Sequence, residues 1–261
     1  MKLKMNLVKD LKTVKGKTLI CGLPGIAYIG KLTVDYLIQH FHAELVGEIY
    51  SQYFAPYVLV NKDGLVELLR NELYFMPNGL ADSVLFYTGN AQATSPEGQY
   101  YLVNEILELA KQCGVQRIYA IAAFLTDKAF ETPRVYGTTT QASFLEELEQ
   151  YGVFPMKNGS ISGMNGLIYG LARTYQMEGA CLLGETYGYK TSSGQYLVDS
   201  KAVQAVLEVL TTILGVSVDM TPLQEQIKEM DALISRMTAI EQQVMEEMRR
   251  VSGRDPSRYI T

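Results

Sequence analysis

Apolar positions recur along this chain in two alternating rhythms, and the alternation predicts an α/β fold. Lys17 to Gly22 (KTLICG) is a short apolar run of strand type, broken by Gly22-Leu23-Pro24-Gly25. Ile29, Leu32, Tyr36, Leu37 and Phe41 then fall at helical spacing, so residues 17–41 read strand, glycine loop, helix. Glu44 to Tyr53 and Tyr57 to Asn61 read as strands, with Asp63-Gly64 as a turn. Leu65 to Phe75 fits either type, and the period-2 pattern of Leu69, Asn71, Leu73 and Phe75 favours strand. Ser83 to Thr88 and Gln116 to Phe124 are apolar runs of the doubly buried kind. Between them, Ser95 is placed to cap a helix over 97–111, with Pro96 at its first position and Gly114 after its end. Residues 125–140 read as a loop long enough to carry function or a subunit contact. Ser143 to Tyr151 is a short acidic helix, and Asp199 to Leu214 an amphipathic one. The expected architecture is a mixed, mostly parallel sheet with helices on both faces.

The stretch from Pro155 to Tyr189 stands out within this pattern. Gly159-Ser160-Ile161-Ser162-Gly163 is a glycine-rich turn feeding a small-residue helix over 164–175. Gly179 is the expected left-handed stop, before a strand over 179–187. The first N–H groups of such a helix lack partners within it and can hold an anion or bury themselves against a neighbour. Gly166 and Gly170 give the helix a face of little bulk, suited to a close backbone approach. Close packing is the commoner use. Gly22, Gly25, Ser160, Gly163 and Asn165 form the candidate ligand loop.

After Gly215 the rhythm changes. Leu223, Ile227, Met230, Ile234, Met237, Ile240, Val244 and Met248 are spaced by 4, 3, 4, 3, 3, 4 and 4, a heptad seam with one slip at Ile240. Glu, Gln, Lys and Arg fill most of the remaining positions, so the seam predicts a coiled coil and self-association, with Leu223, Ile227, Met230, Ile234, Met237 and Val244 as contacts. Gly253 and Pro256 end the helix and free the tail. The expected organisation is an α/β domain over 1–216, a helical segment over 217–252 and a tail over 253–261.

Composition and charge exclude several functions. No apolar run approaches the ~18 residues that span a bilayer, and the opening MKLKMNLVKDLKTVKGK has no signal-peptide pattern. A net charge of −5 without a basic cluster argues against a nucleic-acid surface. Cys21, Cys113 and Cys181 are far apart and lack C-x-x-C spacing, so buried thiols in a reducing cytoplasm are expected. His40 and His42 would share one face of a strand, but no nearby ligand completes a metal site. Gly25 to Gly30 with Lys31 approaches a Walker loop, yet Leu32 stands where a hydroxyl must hold the metal. No cofactor is expected.

Gly22-Leu23-Pro24-Gly25, Thr132-Pro133-Arg134-Val135-Tyr136-Gly137, Gly159-x-Ile161-x-Gly163-x-x-Gly166 and Leu182-Leu183-Gly184-Glu185-Thr186 stand in an order and spacing that resembles the proteasome assembly chaperone 2 family. The likeness runs over about residues 15–250. It implies a fold similar to that of nucleoside phosphorylases, homo-oligomers, and in some members binding of the proteasome core-particle α-ring through a C-terminal hydrophobic–tyrosine–any tripeptide. This chain ends Arg258-Tyr259-Ile260-Thr261, with the tyrosine one place early, so Tyr259, Ile260 and Thr261 are the docking residues implied. The partners implied are a second copy of the chain and proteasome α-subunits, with no nucleic acid and no membrane.

The alternative is an enzyme acting on nucleosides or phosphorylated small molecules, with Gly22, Gly25, Ser160, Asn165 and Glu185 as its groups. Against it, the sequence offers no nucleophile–base pair and no histidine in a motif. Glu185 and Asp127 would be a carboxylate pair, but nothing in the sequence brings them together.

Overall fold

A computed structural model describes residues 2–76, 83–127, 130–191 and 193–252. The chain divides into two compact units, 1–220 and 221–261. In the first unit the strands are β1 (Leu3–Leu7), β2 (Thr18–Cys21), β3 (Glu44–Ser51), β4 (Val58–Val60), β5 (Val66–Leu68), β6 (Asn71–Met76), β7 (Val84–Gly89), β8 (Arg117–Leu125), β9 (Val135–Thr139), β10 (Phe154–Pro155) and β11 (Glu178–Thr186). The helices are α1 (Ile29–His40), α2 (Pro96–Gln112), α3 (Ala142–Glu149), α4 (Gly163–Ala172) and α5 (Ser200–Leu214). Among the described residues the second unit is one helix, α6 (Thr221–Ser252).

Among the described residues nine strands form one sheet in the order β1-β3-β6-β7-β2-β8-β11-β9-β10. Its centre, β7-β2-β8-β11, is parallel. The pairs β1/β3, β3/β6, β6/β7 and β11/β9 are antiparallel, so the sheet is evenly mixed and not mostly parallel. The centre is the part whose strands read as continuous apolar runs, because helices cover both of its faces. α2 and α4 pack on one face with Leu19, Cys21, Leu85, Tyr87, Ile118 and Leu183. α1 and α5 pack together on the other. Ile20, Phe86, Tyr119 and Leu182, one position out of phase with those residues, are buried but outside that first cluster.

The capping signals hold. The Ser95 hydroxyl accepts from the Gly98 N–H at 3.1 Å, with Pro96 in the first turn of α2. Asp199 caps α5 through the Ala202 N–H at 3.0 Å, and Gly215 closes it at φ 65°.

Several expectations are corrected. Residues 125–140 are not all loop, since Val135–Thr139 pairs with β11. Leu65–Phe75 is two strands, interrupted at Leu69-Arg70. The left-handed stop after α4 is Gln176 at φ 62°. Gly179 is a strand residue paired with Ile118, and the position needs glycine because a side chain there would meet the backbone carbonyl of Tyr169. His40 ends α1 and His42 lies in the following turn at φ 49°, so the two do not share a strand face. The three cysteines are free and buried, and burial pushes the Cys21 and Cys181 thiols up. No helix of the described residues is long and apolar enough to cross a membrane.

Candidate functional site

The site lies beyond the carboxyl ends of β2, β8 and β11. Ligand crevices of open α/β sheets form at such ends because connections diverge there to opposite faces. Here β2 continues into α1 on one face and β7 into α2 on the other. Two cavities share Phe124 and Leu125 of β8.

The first cavity, about 700 Å³, contains four of the five ligand-loop residues: Gly25, Ser160, Gly163 and Asn165. Gly22 is not among its lining residues, because it serves packing: a Cβ there would overlap the carbonyl of Gly30. Asn165 is 5% exposed, and both ends of its amide bond the same residue. Its Oδ1 accepts from the Leu23 N–H at 3.1 Å and its Nδ2 donates to the Leu23 carbonyl at 3.1 Å. Gln92 makes a second bridge. Its Nε2 donates to the Pro24 carbonyl at 2.6 Å and its Oε1 accepts from the Met164 N–H at 2.7 Å. Two amides thus fasten the β2–α1 loop to the start of α4. One of the α4 end N–H groups available to an anion is taken by Gln92. Gly163 is in the left-handed region at φ 81°, with Gln92 Oε1 only 2.7 Å from where its Cβ would stand. The chain just after these clamps is strained: Ala27 and Tyr28 are successive left-handed residues at φ 52° and 56°. The Ala27 carbonyl accepts from the Asp199 N–H at 3.2 Å, and the Asp199 carboxylate accepts from the Thr186 hydroxyl at 2.6 Å.

The second cavity, about 840 Å³, is walled by Phe124, Tyr136, Tyr187 and Tyr196 and edged by Lys190 and Asp127. Glu185 and Asp127, separated by 58 positions in sequence, both line it. They are not a free carboxylate pair. Glu185 is 1% exposed and takes three bonds from Arg134: 3.1 Å from the backbone N–H, 3.0 Å from Nε and 3.0 Å from Nη2. The Arg134 guanidinium also lies over the Tyr136 and Phe154 rings. Burial alone raises a carboxyl, but here the bonds from Arg134 outweigh it and hold Glu185 below its ordinary value. A carboxylate held ionised and saturated with donors is a poor general acid. Arg134 and Glu185 each stand in a motif of the sequence, Thr132 to Gly137 and Leu182 to Thr186, but their pairing is not legible there, because it depends on β9, which follows Arg134, lying beside β11.

The pair has a pH signature. A lowered folded-state value stabilises above the unfolded value, and that stabilisation is lost as pH falls through the folded one. Arg134→Ala leaves the Glu185 carboxylate buried with fewer donors, so its pKa should rise. The melting-temperature deficit of this variant relative to the parent is therefore expected to be larger at about pH 7 than at about pH 4, where protonation neutralises the buried carboxyl. A parallel pH profile would mean that the pair contributes nothing to stability.

The implied docking residues Tyr259, Ile260 and Thr261 lie outside the described residues, as do the Met237 and Met248 side chains of the heptad seam. Of the other seam positions, Ile240 and Val244 are exposed. Gln92, which links both sides of the first cavity, was missed. Its loop reads only as polar, and no local pattern marks a glutamine that bridges elements 72 positions apart.

The whole arrangement has relatives. The chain is 32% identical over 239 residues to an uncharacterized protein of Methanocaldococcus jannaschii, covering 91% of this chain and 89% of that one. Its fold is similar to that of Pyrococcus furiosus PbaB, described as an archaeal proteasome activator, with TM-score 0.82 and 29% identity over 91% of this chain and 99% of that one. It is also similar to Pyrococcus furiosus PbaA, described as an archaeal homolog of proteasome-assembly chaperone, with TM-score 0.74 and 23% identity over the full length of both. The PAC2 family model matches residues 19–238, which takes in the β2–α1 loop, the Arg134–Glu185 pair and the α4 turn, and with that match the chain belongs to the PAC2 family.

Proposed function

We propose that this chain is a proteasome-binding PAC2 oligomer, an assembly chaperone or regulator whose tail docks on the core-particle α-ring. The observation that carries this reading is its 29% identity, across 91% of its length, to a protein described as an archaeal proteasome activator. On this reading the α/β unit is a scaffold of the nucleoside-phosphorylase kind used for presentation, and the chain works in the cytoplasm. The α6 seam of Leu223, Ile227, Met230, Ile234, Met237 and Val244 joins copies as a coiled coil, which would cover the exposed Ile240 and Val244. Tyr259 and Ile260 bring an aromatic and an aliphatic side chain beside the terminal carboxylate of Thr261, a combination that a basic pocket between ring subunits can clamp. Several tails on one oligomer raise the effective concentration of each contact.

The enzyme alternative is not favoured. The polar groups that the cavities offer at Asn165, Gln92 and Glu185 are spent on internal bonds.

The test is capture of a purified archaeal proteasome α-ring by the full chain and by a chain ending at Pro256. The full chain is expected to retain the ring and the shortened one to lose it. Equal retention by both would remove the tail from the mechanism, and retention by neither would overturn the reading.

A further inference from the structure

β4 and β5 stand outside the nine-stranded sheet as a two-stranded sheet of their own. A lone hairpin is marginal in water unless something covers it. This one is apolar on its exposed surfaces: Tyr57, Val58, Leu59, Val60, Leu65, Val66 and Leu68 are all exposed, Val60 and Leu65 at 65%. Together these residues leave roughly 700 Å² of apolar surface uncovered, above the ~300–600 Å² of the largest patch on a typical monomer.

The two edges of the hairpin differ. β5 carries Glu67 at its centre, near Arg70. Two β5 edges meeting about a two-fold axis would set Glu67 against its own copy, which opposes pairing. The β4 edge, Val58-Leu59-Val60, is short, but it has no charge and no proline within it. Its backbone phase also suits self-pairing. The Asn61 N–H donates to the Leu65 carbonyl at 3.0 Å, and the register sets Leu59 opposite Glu67. By the antiparallel alternation, Leu59 therefore directs its backbone groups inward to β5, while Val58 and Val60 direct theirs outward. A two-fold axis through Leu59 then places Val58 opposite the partner's Val60 in hydrogen-bonded pairs. It makes Leu59 a close, non-hydrogen-bonded pair with itself. The same pairing brings the partner's hairpin tip to the hairpin base, where Phe54, Pro56, Tyr57, Val58 and Leu68 line an apolar cavity of about 510 Å³.

We infer that β4 pairs edge to edge with β4 of a second copy, completing a four-stranded sheet across a two-fold axis at Leu59. This contact is separate from the α6 seam and does not rest on it.

A disulfide at the axis tests the register. Cα atoms of a non-hydrogen-bonded antiparallel pair, ~4.5 Å apart, fall within disulfide reach, and the native cysteines are all buried. Leu59→Cys in the full chain, treated with oxidised glutathione, is expected to convert most of the protein to a covalent dimer on a non-reducing gel. Val66→Cys, at a position more exposed than Leu59 but on β5, is not. The same result is expected with Ile227→Glu and Ile234→Glu added to disable the α6 seam. In both backgrounds Val58→Lys with Val60→Lys should about halve the mass seen by light scattering, with the melting temperature little changed because the hairpin lies outside the main sheet. No Leu59→Cys dimer, equal dimer from Val66→Cys, or an unchanged mass in the lysine variant would each overturn the pairing. Loss of mass in the seam variant alone, with the Leu59→Cys dimer retained, would support it.

Discussion

Gly166→Val is expected to lower the melting temperature by roughly 10 °C or to abolish soluble expression, while Gly170→Ala leaves both unchanged or slightly improved. The two glycines lie one turn apart on α4 and look equivalent in sequence. They are not equivalent in space. A Cβ on Gly166 would overlap the carbonyl oxygen of Ile161 and stand 2.7 Å from its carbon. The obstacle is backbone, and it belongs to the turn that leads into the same helix, so no rotamer change relieves it. Overpacking of this kind costs about 3 kcal/mol or more, and each kcal/mol moves the midpoint of a domain this size by about 2–4 °C. Gly170 is exposed and its Cβ would meet nothing within 4 Å, so alanine there gains about 0.5–1 kcal/mol of helix propensity. The expected close-packing face therefore reduces to one position. Equal stability of Gly166→Val and the parent, read by calorimetry, would refute the packing role of the turn.

What was legible in the sequence is the part governed by local rules. β2, β7, β8 and β11 are covered on both faces and so read as unbroken apolar runs, and α2 and α5 announce their starts through Ser95 and Asp199. β1 was lost because Leu3–Leu7 interleaves lysine and asparagine, as an edge strand against β3 can. β9 was lost because Val-Tyr-Gly-Thr-Thr owes its strand state to pairing with β11 and not to its own hydrophobicity. The same holds for the site. Its glycines and Asn165 were visible as a motif, but their roles depend on what faces them across the fold. Asn165 looked like a ligand residue and is a clamp. Glu185 looked like half of a carboxylate pair and is an anchor for Arg134. The hairpin over 57–68 was recognised as strands and turn, yet its separation from the main sheet is invisible without the topology.

Asn165→Ala is expected to cost about 3 kcal/mol, and Asn165→Asp more than that at neutral pH. Asn165 joins α4 to Leu23, 142 positions earlier, through one donor and one acceptor, and Leu23 is itself 1% exposed. Alanine leaves the Leu23 N–H and carbonyl without partners, and each buried group so orphaned costs ~1–3 kcal/mol. Aspartate keeps an acceptor for the N–H but turns a charged oxygen against the Leu23 carbonyl, in a buried place. Burial and that carbonyl raise the introduced carboxyl above its unfolded value of ~3.9. The sign follows from linkage. With a raised folded value, the penalty is absent below the unfolded pKa and grows as pH rises through the folded one. A proton on the carboxyl oxygen restores the donor that the amide supplied. Denaturant midpoints should therefore show Asn165→Asp recovering toward the parent between about pH 7 and pH 4, while the deficit of Asn165→Ala stays constant over that range. A residue whose work was to hold a ligand would give the opposite pattern: parent-like stability in both variants and no pH dependence in either.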